Sequence, residues 1–160
     1  MSRPGPRRQA ALREAALAVV AHLHGLHVNR LRLEPADHGH ELLDHLRYGL
    51  DLEHLHESQF LLALKRAEVA LAGQVAVEHY LDGATQAADG TALAILERLG
   101  GSPRQRDALA ALARARLLDL LDVPDHRGMI EALAQALERE GELDRDAFML
   151  VVLRTVKLPL

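Results

Sequence analysis

Residues 51–83 read DLEHLHESQFLLALKRAEVALAGQVAVEHYLDG, and this stretch decides the fold. Apart from Gly73, nothing that breaks a helix stands between Asp51 and the Asp82-Gly83 pair. Leu52, Leu55, Phe60, Leu64, Ala67, Leu71 and Val75 recur at helical spacing, and Ala63, Ala70 and Val77 widen the apolar stripe. A helix that is apolar over much of its circumference is one that others surround. With Asp51 as N-cap, a helix of this length spans roughly 47 Å. The stretch therefore predicts a long central helix.

Composition points the same way. The 160 residues contain no Trp, two Phe and two Tyr, while Leu and Ala dominate the apolar fraction. Strands are enriched in β-branched and aromatic residues, whereas Ala, Leu, Arg and Glu are good helix formers. No segment alternates convincingly as a strand. The predicted class is all-α, a single-domain bundle of six to seven helices around the long central one. Residues 1–6 read as a flexible tail and residues 7–160 as the helical domain.

Working outward, a first helix is expected over about 6–26, with Leu12, Ala16, Val19, Val20 and Leu23 on its buried side. A second, over 37–49, has Asp37 as N-cap and Leu42, Leu43, Leu46 and Leu50 facing inward. After a loop at 82–90, a helix runs to Leu99. Ser102 and Pro103 open the next, which ends near Leu121. DVPDHRG separates it from a helix over 126–140 that Gly141 terminates. Asp144 caps a last helix, DRDAFMLVVLRTV, apolar nearly all round. Such a helix is either core or a subunit interface.

Charge is segregated along the chain. Residues 1–33 hold six Arg against one Glu, residues 34–57 seven acids against Arg47, and residues 98–116 five Arg against Asp107. Blocks of opposite sign are expected to pair, within one chain or between subunits. The absence of Cys excludes disulfides, thiolate zinc sites and thiol catalysis. No apolar run is long enough for a membrane span, so no membrane partner is expected and a cytoplasmic location is the default.

Residues 38–58, HGHELLDHLRYGLDLEHLHES, hold the densest candidate chemistry. Side chains three or four residues apart share a helix face, so Glu41 faces His45, and Glu53 faces both His56 and Glu57. Carboxylates neutralise and bridge cations, and imidazole adds a neutral ligand. Glu41, His45, Glu53, His56 and Glu57, with His22 from the first helix, are thus the candidate ligands for a divalent transition metal. A carboxylate-bridged two-metal site in a bundle uses two Glu-x-x-His motifs, and only Glu53-x-x-His56 fits. The plainer reading is a solvated helix face with internal ion pairs and no cofactor. A third is a patch whose charge changes steeply between about pH 5 and 7.

Other chemistry is thinly supported. Ser58 sits in a helical stretch without a strained nucleophile turn, and GGSPRQR lacks the lysine of a phosphate loop. Arg7, Arg8, Arg104 and Arg106 are candidate nucleic-acid contacts, but the net charge of −4 and the scarcity of aromatics weigh against that use. Glu68, Gln74 and Glu78 are placed at the edges of the long helix. If any were buried, a neighbouring helix would have to supply its partner. The leading expectation is a non-enzymatic helical interaction or regulatory protein that works by self-association or by binding a protein partner, with the Leu/Ala-rich surfaces and the last helix as the interfaces of a homo-oligomer. A metal-binding bundle with oxidoreductase or sensor character, and a nucleic-acid-associated protein, are the alternatives.

Overall fold

A computed structural model describes residues 4–33, 59–81 and 90–156 of the chain. The expected helix over 37–49, the start of the long helix, the loop at 82–89 and the whole histidine–acid stretch lie outside the described residues. Within them the protein is all-α, with helices α1 (Pro6–Leu23), α2 (Phe60–Tyr80), α3 (Gly90–Leu99), α4 (Pro103–Asp122), α5 (Pro124–Glu140) and α6 (Arg145–Thr155).

The architecture is built on α1 and α2. More than half of the buried side chains in α1 are alanine: Ala11, Ala15, Ala16, Ala18 and Ala21 are interspersed with Leu12, Leu17, Val19 and Val20. In α2, Ala70, Ala72 and Ala76 play the same part. Small side chains let two helix backbones approach closely. At Gly73 the approach is so close that a Cβ would lie 2.5 Å from Arg13 Cγ and 3.0 Å from the Arg13 carbonyl oxygen. On its other side α1 meets α5, whose Ile130, Leu133, Ala134 and Leu137 complete one large core with Phe148 and Val152 of α6. A smaller cluster of Ala63, Ala67, Ile95 and Leu96 joins the first half of α2 to α3. The central position is therefore shared by α1 and α2.

Most helix ends follow the local chemistry expected of them. The Ser102 hydroxyl accepts from the Gln105 amide at 3.2 Å, and the Asp144 carboxylate accepts from that of Ala147 at 2.8 Å. Gly141 closes α5 in the left-handed conformation (φ +76°). Two boundaries differ from expectation. α1 stops at Leu23 because Gly25 turns left-handed (φ +78°): its amide bonds to the His22 carbonyl and the Leu26 amide to that of Ala21. The expected DVPDHRG spacer shrinks to Val123, which ends α4 and precedes α5 in one extended step. Pro124 has its φ preset for the first helical turn, so α5 starts there rather than at 126. The last carbonyls of α4 at this corner accept from side chains, Leu121 from the Tyr80 hydroxyl (2.7 Å) and Leu120 from His126 Nδ1 (2.8 Å). Arg127 stacks over the Tyr80 ring at 4.9 Å. Burial is the main reason the Tyr80 phenol is pushed up to about 12, although Arg127 opposes it.

Strands, which the sequence did not signal, are also present. β1 (Arg30–Arg32) pairs antiparallel with β2 (Glu142–Asp144), placing Arg30 opposite Asp144, Leu31 opposite Leu143 and Arg32 opposite Glu142. Leu31 and Leu143 are buried, while Arg30 and Arg32 both reach Glu142, at 3.0 and 3.2 Å. Three residues per strand are too few for alternation to show.

The Gly73 contact gives a test of the α1–α2 approach. Glycine to alanine in a helix ordinarily gains about 1 kcal/mol. Here the added methyl meets a backbone oxygen that cannot swing away, so Gly73→Ala should lose about 1–3 kcal/mol instead. Thermal unfolding of the two proteins checks the sign.

Candidate functional site

Among the described residues Glu68 is the one buried charged side chain, with no solvent exposure. It lies midway along α2, where the stripe that faces α1 also meets α4. His24, just past the end of α1, brings Nε2 to 2.8 Å from Glu68 Oε2. From α4, Arg116 donates its Nε–H to Glu68 Oε1. One carboxylate thus ties three helices. Burial pushes the Glu68 carboxyl up, but the hydrogen bonds from His24 and Arg116, and the charges behind them, outweigh it and hold the group below the ordinary carboxylate range.

A second pairing runs parallel to this one, nearer the surface. Arg114 Nη1 donates to Glu78 Oε2 at 2.8 Å, and Gln74 Nε2 donates to Glu78 Oε1 at 3.2 Å. Glu68, expected at a helix edge, is buried instead, with the partners from neighbouring helices that burial demands. Gln74 and Glu78 are half-buried. Both oxygens of the Glu68 carboxylate are engaged. Its chemistry is that of a fixed counter-charge between helices.

The candidate metal ligands Glu41, His45, Glu53, His56 and Glu57 lie outside the described residues. His22 lies in the last turn of α1, edge-on to the Phe148 ring with centroids 5.8 Å apart. Among the described residues no group of three or more His, Asp or Glu is placed to hold a metal.

Three of the four arginines proposed to meet nucleic acid have partners inside the chain. Arg7 donates to the Glu138 carbonyl from Nε (3.2 Å) and Nη2 (2.7 Å), and Arg8 reaches Glu138 Oε1 at 2.6 Å. Together they fasten the start of α1 to the end of α5, a favourable place for positive charge. Arg106 pairs with Glu97 at 3.3 Å, and Arg104 is exposed on the first turn of α4. Arginines of the two basic blocks pair within the chain with acids outside the acidic block, namely Glu68, Glu78, Glu97, Glu138 and Glu142, while residues 34–57 lie outside the described residues.

The last helix is core on one side and exposed on the other. Phe148 and Val152 point into the core, while Leu150 and Leu153 are 52 % and 65 % exposed. Taking Leu150 as reference, Asp146, Ala147, Leu153 and Arg154 fall within about 60° of it around the helix axis. The outer stripe is therefore an acid, a leucine pair and a base, with the half-buried Ala147, which also packs against the core, at its margin. Among the described residues neither Asp146 nor Arg154 has a hydrogen-bond or ion-pair partner. No helix among the described residues is long and apolar enough to cross a membrane.

No protein-family model matches the chain, and no curated protein matches it. Functional reading therefore rests on these surfaces.

The Glu68 arrangement predicts an asymmetry. Arg116→Ala leaves a buried carboxylate with His24 alone and should cost about 2–3 kcal/mol. Glu68→Met replaces the charge with an apolar chain of similar volume and lets the half-exposed Arg116 turn to water; it should cost less than about 1.5 kcal/mol. Because the Glu68 pKa is depressed on folding, its contribution is present above the unfolded value near 4.3 and is lost as pH falls through the lower folded value. Denaturant titrations at about pH 7 and at about pH 3 should show a smaller acid loss in Glu68→Met than in the parent protein.

Proposed function

We propose that the protein is a non-enzymatic helical interaction protein whose working unit is a reversible homodimer, formed by antiparallel pairing of the outer face of α6. The observation that supports this reading is the self-complementarity of that face. In an antiparallel pair with Leu150 on the two-fold axis, residues whose numbers are equally far from 150 face each other. Asp146 of one copy then meets Arg154 of the other, twice. Leu153 meets Ala147, a protruding side chain against a small one. A two-fold interface needs this kind of self-match, the same patch serving both sides.

Magnitudes set the character of the dimer. Each leucine removed from water contributes roughly 1.5–3 kcal/mol. The exposed charge pairs contribute about 1 kcal/mol or less each, so they fix orientation more than affinity. A helix of 11 residues is about 16 Å long, which places the interface at the small end of the range. Association of this kind dissociates on dilution.

Sedimentation across a concentration series tests the reading. The parent chain of 17.6 kDa should move toward twice that mass as concentration rises. Leu150→Glu with Leu153→Glu should stay monomeric, and Asp146→Arg should weaken the dimer. Adding Arg154→Asp to Asp146→Arg should restore it, because the cross-pairs return with signs reversed. A monomer at every concentration, or a double charge variant no better than the single one, rejects the proposal.

A further inference from the structure

We infer that the protein carries a binding site for a small organic carboxylate with an apolar body, in the cleft between the turn after α1 and the first turns of α6. This goes beyond the dimer reading and uses a different side of α6. The cleft has a volume of about 270 Å³ and is lined by residues 22 and 25–28 on one side and by Arg145, Phe148 and Met149 on the other. That is slightly below the roughly 300–1,000 Å³ of sites for drug-sized ligands.

The lining has two distinct parts. Its floor is carbon and sulfur: Val28 and the ring of Phe148 are buried, and Leu26 and Met149 are half-buried beside them. Its polar groups are His22, His27 and Arg145, all able to donate, with no carboxylate among the lining side chains. Three basic groups near the cleft are matched to acids, Arg30 and Arg32 to Glu142 and His24 to Glu68. Among the described residues Arg145 has no hydrogen-bond or ion-pair partner. Its sequence neighbours do not supply one: Asp144 caps the Ala147 amide and Asp146 lies on the outer stripe. A planar guanidinium suits a two-oxygen anion. The apolar side chains that line the same cleft favour an anion that carries carbon, and the small volume limits that carbon to a ring or a short branched chain. Benzoate has these properties.

Isothermal titration with benzoate tests the assignment, with benzyl alcohol and inorganic phosphate as the other arms. Benzoate should bind with one site per chain. Benzyl alcohol, which fills the floor without the charge, and phosphate, which has the charge without the body, should each bind at least about tenfold more weakly. Arg145→Ala should weaken benzoate about tenfold, the loss expected for a charged hydrogen bond. Arg139→Ala, on the exposed end of α5, should leave binding unchanged. Both arginines are solvent-exposed, so neither variant threatens folding. The inference is overturned if benzoate fails to bind at millimolar concentration, if either comparison compound binds as well, or if Arg145→Ala binds like the parent protein.

Discussion

A carboxylate with no access to water, Glu68, is the constraint around which the described helices are arranged. Taking such a charge out of water costs several kcal/mol, and the cost is met only if donors stand in the right places. His24 and Arg116 stand there, so the end of α1, the middle of α2 and the second half of α4 have little freedom to slide or rotate against one another. This matters more here than in most bundles. The α1–α2 contact is made largely of alanine, and alanine surfaces are smooth: they permit close approach but specify register weakly. We read the Glu68 cluster as a device for uniqueness more than for stability, with the close contact at Gly73 fixing the separation of the same two helices.

The remainder of the fold extends this pair. Arg7 and Arg8 bind the end of α5 to the start of α1, while Tyr80 and His126 satisfy the last carbonyls of α4 at the corner where α2, α4 and α5 meet. The short β1–β2 ladder brings the chain after α1 back against the α5–α6 connection. Its consequence is positional. With Leu31 and Leu143 buried and Asp144 capping α6, the last helix is held with Phe148 and Val152 inward, which leaves Leu150 and Leu153 facing out. The arrangement that completes the core therefore also creates the surface proposed for self-association.

Much of the helix framework was legible in the sequence because helix ends are local. Ser102, Gly141 and Asp144 act through partners three or four residues away and Pro103 through its own fixed φ, so their roles could be read in order along the chain. The misjudged boundaries are also local in origin: Gly25 and Pro124 each settled an end that apolar periodicity alone had blurred. What was not legible depended on distance. His24 and Arg116 are 44 and 48 residues from Glu68, and nothing near Glu68 distinguishes a buried acid from one at a helix edge. The same holds for Arg30 and Arg32, whose shared acid Glu142 lies at the other end of the chain. Arg7 and Arg8 resembled a basic patch because Glu138 could not be placed beside them. The ambivalence of α6 was readable, since a helix apolar nearly all round must cover something on more than one side; which leucines face outward was settled only once Phe148 and Val152 were located.

The central functional claim is that Leu150 lies on a two-fold axis between antiparallel copies of α6. Because the chain contains no cysteine, a single thiol can be introduced without background. Leu150→Cys, treated with a short bis-maleimide, should cross-link efficiently to a second copy of itself, and the product should vanish on dilution before treatment. Leu112→Cys, similarly exposed but on α4, should remain monomeric. Equal cross-linking at the two positions, or none at Leu150→Cys at concentrations where the protein is most associated, would contradict the proposed pairing.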